Sequence, residues 1–234
     1  MRTVGRALRK WIERLARRTR GEPTMLSRMT LEQFAEALAA ATPTPGGGSA
    51  AAQAGAMAAS LIQMMCGLTA GRERYRAHDE AVRAIRARAE GLRKDLLALV
   101  DRDAQAYDEV VRALRLPKGT DAEKQARSEA LERATLFAIE TPLAIADACA
   151  ALMGMASEMT YMGNPNAVSD VGVAALLAYA GLRGAVLNIR VNLKGVGDEA
   201  RAGKLSERVR RLEVDSEKLR EEALTAIYAR TNGR

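Results

Sequence analysis

What most constrains this chain is how rarely its helical pattern is broken. Beyond residue 28, isolated glycines aside, the breakers sit at Pro43 to Gly48, Gly71, Pro117 to Gly119, Pro142, Gly163 to Pro165, and Gly195 with Gly197. Between them run stretches rich in Ala, Leu, Val, Met, Arg and Glu. None carries a convincing alternation of period two, so strands are not expected and long helices are. Aromatic residues are only 3% of the 234. The core must therefore pack from small and unbranched side chains, which lose little rotamer freedom in a helix and let helices approach closely. The expectation is an all-α fold, packed as a tight bundle.

The spacing predicts a short helix to about Ala41, opened by a capping box of Thr30 and Gln33. A small-residue helix follows from Ser49 to about Ala70. The next runs from Arg74 to Leu114, with room for a bend near Gly91. Asp121 is the expected cap of a helix to about Glu140. Pro142 starts or kinks another, through Met159. Asn166 or Ser169 caps a helix through Leu193, and a charged amphipathic helix closes the chain from about Ser206 to Arg230. Residues 28–234 read as one helical domain, and residues 1–27 as a basic extension dispensable for folding.

The formal net charge is +7. Residues 1–24 hold eight Arg or Lys against two Glu, so nearly all of the excess sits there. Val4–Arg18 can form a basic amphipathic helix of the kind that touches anionic surfaces. The body is almost neutral and carries no global footprint for nucleic acid. No uninterrupted apolar run of membrane-spanning length and no secretory signal is read, so a cytoplasmic protein with no transmembrane segment is expected. Cys66 and Cys149 lie in apolar helical stretches and read as reduced, buried thiols. With His78 as the only histidine, no ordinary zinc site can be assembled, and no metal is expected.

Four polar motifs stand out. Pro45-Gly46-Gly47-Gly48-Ser49 opens a helix, where free N–H groups and the helix dipole favour an anion or an electronegative ring edge. A tight helix-entry turn explains it equally well. Asp103 and Tyr107 share a helix face with Val110 and Leu114. A carboxylate in an apolar stripe is costly unless paired or used. Asp101 points elsewhere and is expected to pair with an exposed Arg. Asn164, Asn166, Ser169 and Asp170 gather at the entry of an apolar helix, more than N-capping alone requires. Asn188 and Asn192 share one face of that helix, where amides demand partners, either a ligand or another helix.

Taken together and in this order, these motifs resemble the cyclodeaminase/cyclohydrolase family. It comprises the cyclodeaminase half of formiminotransferase-cyclodeaminase and stand-alone methenyltetrahydrofolate cyclohydrolases. The matching stretches are Thr42–Ala52, Asp103–Lys118, Thr141–Leu143 and Gly163–Leu193. The resemblance implies an up-and-down antiparallel helical bundle, a homodimer, a tetrahydrofolate substrate and no metal or other cofactor. With no formiminotransferase half in the sequence, it favours conversion of 5,10-methenyl- to 10-formyltetrahydrofolate over formimino-folate cyclodeamination with ammonia release. A non-catalytic helical folate-binding or scaffold protein is the alternative from another class. Under the resemblance, Asp103 is the expected acid/base group, with Asp170 assisting or binding the pterin. Asn164, Asn166, Ser169, Asn188 and Asn192 would orient the heterocycle. Pro45 to Ser49 and Tyr107 would contact the folate, and Lys118 or Arg190 would meet its glutamate tail.

Overall fold

A computed structural model describes residues 25–232 of the chain. The expected basic helix over Val4–Arg18 lies outside the described residues. Six α-helices follow one another: α1 Leu31–Ala39, α2 Gly47–Thr69, α3 Asp79–Leu114, α4 Asp121–Met162, α5 Val168–Leu193 and α6 Glu199–Asn232. Short 3₁₀ turns at Leu26–Arg28, Glu73–His78 and Pro165–Ala167 join them, and no strand occurs among the described residues. Helices α2 to α5 form an antiparallel four-helix bundle in which α2 packs between α3 and α5, and α4 between the same two on the far side. Helix α6 lies against α5 and α4. Leu26 packs on the core and Ser27 bonds to Asp101, so residues on the extension side of the sequence-drawn boundary belong to the body.

Local signals explain most of the boundaries. Thr30 accepts from the Gln33 N–H while the Gln33 side chain accepts from the Thr30 N–H, the expected capping box. A second capping box, Thr120 with Glu123, opens α4, so the cap is Thr120 and not Asp121. Helix α3 begins at Asp79, after a 3₁₀ turn over Glu73–His78 where the sequence predicts α-helix.

Two small-residue contacts set the spacing of the bundle. A methyl group on Gly181 of α5 would lie 2.8 Å from both the Ala51 carbonyl oxygen of α2 and the Cys149 Sγ of α4. One on Gly55 of α2 would lie 2.8 Å from the same sulfur. Three helices thus meet around one thiol, at distances only glycine permits. Burial pushes the Cys149 thiol up to about 12 and the Cys66 thiol to about 11, so both remain protonated and unreactive. Both are free and buried, as expected.

Pro142 neither starts nor ends a helix: α4 is continuous from Asp121 to Met162, with the proline inside it. The ring removes the N–H that would bond the Ala138 carbonyl one turn back. That carbonyl, on a buried residue, instead accepts from Asn192 Nδ2 of α5 at 2.7 Å. The amide supplies the proton the proline lacks, and the long helix survives.

Three helical stretches, α2, α4 and Pro165–Leu193, are long and apolar enough to cross a membrane by length and composition. The sequence reading missed this because it looked for unbroken apolar runs. In the fold, half or more of each such window is buried inside the bundle.

The Pro142–Asn192 arrangement makes a testable prediction. Asn192→Leu should cost about 1–3 kcal/mol, since it strands a buried carbonyl. Pro142→Ala in that background should recover part of the loss by restoring the helix's own bond. A double-mutant cycle by urea denaturation that finds the two changes additive would sink this account.

Candidate functional site

The glycine loop and Asp103 meet at one end of the bundle. Gly46 is the N-cap of α2, in extended backbone, and no side chain caps that helix. Pro45, Gly48 and Ser49 are buried, while Gly47 is exposed. Asp103 reaches across from α3. Its Oδ2 accepts from Ser49 Oγ at 2.9 Å, and the Ser49 backbone N–H donates to it as well. The same serine hydroxyl sits 3.1 Å from the Val100 carbonyl oxygen. A hydroxyl has one proton, so its bond to Asp103 competes with its bond to Val100.

Gly48 makes this approach feasible. A methyl group there would fall 2.0 Å from Asp103 Oδ1. The carboxylate lies flat against a wall that only glycine can form. Burial raises the pKa of Asp103 above its usual 3.8, and the two Ser49 donors hold it back only in part. Among the described residues Asp103 has no cation beside it. Its neighbour Arg102 turns the other way, its guanidinium 4.8 Å over the Phe137 ring of α4.

Asn188 completes this end. Its Nδ2 donates to the Gly184 carbonyl one turn back, at 2.9 Å, and lies 3.7 Å from where a Gly47 methyl would be. Tyr107, one turn beyond Asp103, is 43% exposed. Lys118 is exposed in the turn between α3 and α4. Asn192 is occupied with Ala138, and Arg190 pairs with Glu213 of α6 at 2.5 Å. Of the two cations expected to meet a glutamate tail, Arg190 is thus committed to an ion pair.

The second polar cluster lies at the other end of the same chain. Asn164 accepts from the Asn166 N–H at 3.0 Å, and its own N–H donates to Thr69 Oγ1 at the end of α2. Ser169 is exposed and Asp170 half-buried in the first turn of α5, where the helix dipole favours a negative charge. Gly48 and Thr69 bracket α2, so the two clusters are about 32 Å apart along its axis. Within one chain Asp170 and its neighbours do not join Asp103.

The sequence reading missed two features near the site. Asp101 does not pair with an exposed arginine. It is buried, and its carboxylate accepts from Ser27 Oγ at 2.5 Å and from the Ser27 N–H at 3.3 Å. This ties the segment leading to the glycine loop onto α3. Ser49 read as a loop contact, whereas it is the donor that holds Asp103. Both partnerships span more than fifty residues, so no local pattern signals them. No group of three or more His, Cys, Asp or Glu among the described residues is placed to hold a metal ion.

Comparison with known proteins bears on this arrangement. The formiminotransferase-cyclodeaminase family model matches residues 30–211. The chain is 43% identical to a methenyltetrahydrofolate cyclohydrolase of Methylorubrum extorquens, over 81% of this chain and 89% of that protein. It is 33% identical to the formimidoyltransferase-cyclodeaminase of Sus scrofa over 81% of this chain, but spans only 35% of that longer relative. The crystal structure of a formiminotetrahydrofolate cyclodeaminase from Thermotoga maritima superposes with a TM-score of 0.78 at 25% identity, covering 87% of this chain and 98% of that one. A bundle with Asp103 seated on a glycine-walled helix start, together with these matches, identifies the chain as a member of the cyclodeaminase/cyclohydrolase family.

Proposed function

We propose that this chain is a methenyltetrahydrofolate cyclohydrolase, with Asp103 as its acid/base group. The observation that carries the reading is a half-buried carboxylate that, among the described residues, is held only by Ser49 with no cation to neutralise it. The methenyl carbon lies between two nitrogens and shares a positive charge. Such a substrate supplies the counter-charge that the protein withholds, in surroundings where the attraction is stronger than in water. The sequence similarity to the Methylorubrum extorquens cyclohydrolase supports the same substrate.

The steps balance without a metal ion. Asp103 takes a proton from a water whose oxygen adds to the methenyl carbon, giving a neutral tetrahedral carbinol. The bond from that carbon to N5 then breaks as N5 receives a proton from Asp103. The carbinol hydroxyl loses its proton to form the formyl group on N10, and one proton is released overall. Ser49 orients the carboxylate, and Asn188 lies where it can meet the heterocycle edge. Cyclodeamination passes through a similar tetrahedral carbon, and the Thermotoga maritima neighbour favours it as the second reading. Loss of the methenyl absorbance with enzyme supports the hydrolase. Its gain from 5-formiminotetrahydrofolate with ammonia release supports the cyclodeaminase.

We further propose a homodimer that joins the two polar clusters. The outer faces of α2 and α5 expose Met57, Met64 and Leu68 beside Val173, Leu187 and Val191, which are 36–67% exposed. Helical spacing puts them on the side of the bundle away from α4. A second copy docked here about a two-fold axis perpendicular to the helices would set Asp170 of one chain near Asp103 of the other. On this reading the apolar surfaces of α2 and α5 serve the core and the dimer, in a soluble cytoplasmic protein.

Four outcomes are expected. Asp103→Asn should lower kcat by about 10²–10⁴-fold while leaving Tm unchanged or higher. A raised carboxylate favours the protonated folded state, so its contribution to stability falls as pH rises from 3.8 through the raised value. For the same reason the acid limb of kcat/KM in the wild type should lie above 3.8. A limb at or below that value would remove Asp103 from the chemistry. Gly48→Ala should displace the carboxylate and cost about 100-fold in activity, as misplacements of about 1 Å do. Wild-type activity in a folded Gly48→Ala protein would show that the close approach is dispensable. Finally, Asp103→Asn and Asp170→Asn proteins, each impaired alone, should recover about a quarter of wild-type activity on subunit exchange, because mixed dimers hold one intact shared site. No recovery despite exchange would refute the shared site.

A further inference from the structure

We propose that Asn192 is a positioning residue for the reaction, locking α5 to α4 so that Asn188 stands beside the glycine loop. The inference rests on the reading of Asn188 as a group that meets the heterocycle. Thr141-Pro142-Leu143 carries part of the family resemblance, yet the chemistry proposed above uses none of its residues. Its effect falls on the carbonyls one turn back. The Thr141 hydroxyl donates to the Phe137 carbonyl at 3.0 Å, within the same helix. The Ala138 carbonyl has no helical N–H to accept from, because residue 142 is proline. It accepts from Asn192 Nδ2 of α5 at 2.7 Å instead. Alanine at position 142 would satisfy that carbonyl locally and suit the helix better. Proline does what alanine cannot: it leaves an acceptor that only a neighbouring helix can meet. The bond then fixes which residue of α5 faces which residue of α4. Polar groups that set register at some expense of stability are known from helical assemblies.

Asn188 lies one turn back from Asn192 on the same face of α5. It sits between two close contacts. On one side, a methyl group on Gly184 would lie 3.2 Å from Ala51 Cβ of α2. On the other, Asn192 grips Ala138, and a methyl group on Gly195 would lie 3.2 Å from Thr135 Cγ2 of α4. No residue of α5 beyond Ile189 is buried. Apolar packing therefore holds the last turn weakly, and the directional bond from Asn192 decides its place. Without it the end of α5 would fray or turn. Asn188 Nδ2, now 3.7 Å from where a Gly47 methyl would be, would then leave the start of α2.

The test separates positioning from stability. Asn192→Leu is made in a Pro142→Ala background, where the helix supplies its own N–H to Ala138. Relative to Pro142→Ala alone, kcat/KM for methenyltetrahydrofolate should fall about tenfold, less than the ~100-fold that a misplacement of about 1 Å costs. Added to Asn188→Ala, the same change should cost nothing further, since it acts through Asn188. Undiminished activity in the folded Asn192→Leu/Pro142→Ala protein would overturn the proposal. So would a loss that multiplies with that of Asn188→Ala. Hydrogen exchange reports on the lock without any substrate. In the last turn of α5 it should quicken about tenfold over Pro142→Ala, the effect of one lost bond, and unchanged exchange would refute the lock. A wild type inactive on both folates, with this quickening intact, would overturn the proposed function and leave the lock standing.

Discussion

The close approach of α2 to its neighbours is the constraint on which the rest of this structure depends. Helix α2 begins with glycine, alanine and serine, and its small residues let Asp103 and Leu96 of α3, Cys149 of α4 and Gly181 of α5 approach closely. At Gly55 and Gly181 there is no room for one added carbon. Dispersion between closely packed backbones takes the place of the large aromatic side chains that are scarce in this chain. At Gly48 the same tightness admits a carboxylate in place of a methyl group. Packing and site are therefore one feature: the spacing that closes the core also sets Asp103 against the start of α2.

Buried polar groups in such a bundle must be accounted for one by one. Pro142 leaves a carbonyl without its helical partner, and Asn192 meets it from the next helix. Thr69 accepts from the Asn164 N–H while donating within its own helix. Asp101 is satisfied by Ser27. Each pairing joins elements that are distant in the chain, and each orients the bundle more specifically than apolar packing alone, since hydrogen bonds are directional. Asp103 differs from these. Its two donors come from a single serine, one of them shared with Val100, and among the described residues no positive charge compensates its burial. An incompletely compensated carboxylate costs stability and is what the proposed cationic substrate would need, an exchange of stability for function known from active sites.

The two ends of α2 and α5 carry different chemistry, with the glycine loop and Asp103 at one and the Asn164–Asp170 cluster at the other. A long antiparallel bundle keeps them apart in one chain. The exposed apolar faces of α2 and α5 lie between them. The proposed two-fold pairing of these faces would exchange ends by symmetry, giving the separation a purpose and the apolar surface a cover.

Much of this protein was legible in its residues. The breakers delimited the helices, because proline and glycine act on the backbone where they stand. The Thr30 capping box and the buried thiols followed from local pattern, and the polar motifs carried the family resemblance. Legibility ended where the outcome depended on a partner far along the chain. Pro142 read as the start or kink of a helix because the missing N–H is local, whereas the amide that replaces it is fifty residues away. Asp101 and Asp103 differ by two positions, and sequence alone could not say which would be buried against Ser27 and which only partly buried against Ser49. The third dimension also separated Asp170 from Asp103, which the motif list had gathered into one site. Local propensity is written in neighbouring residues, but burial, hydrogen-bond partnership and the pKa of a carboxylate are properties of what tertiary packing brings within a few ångströms.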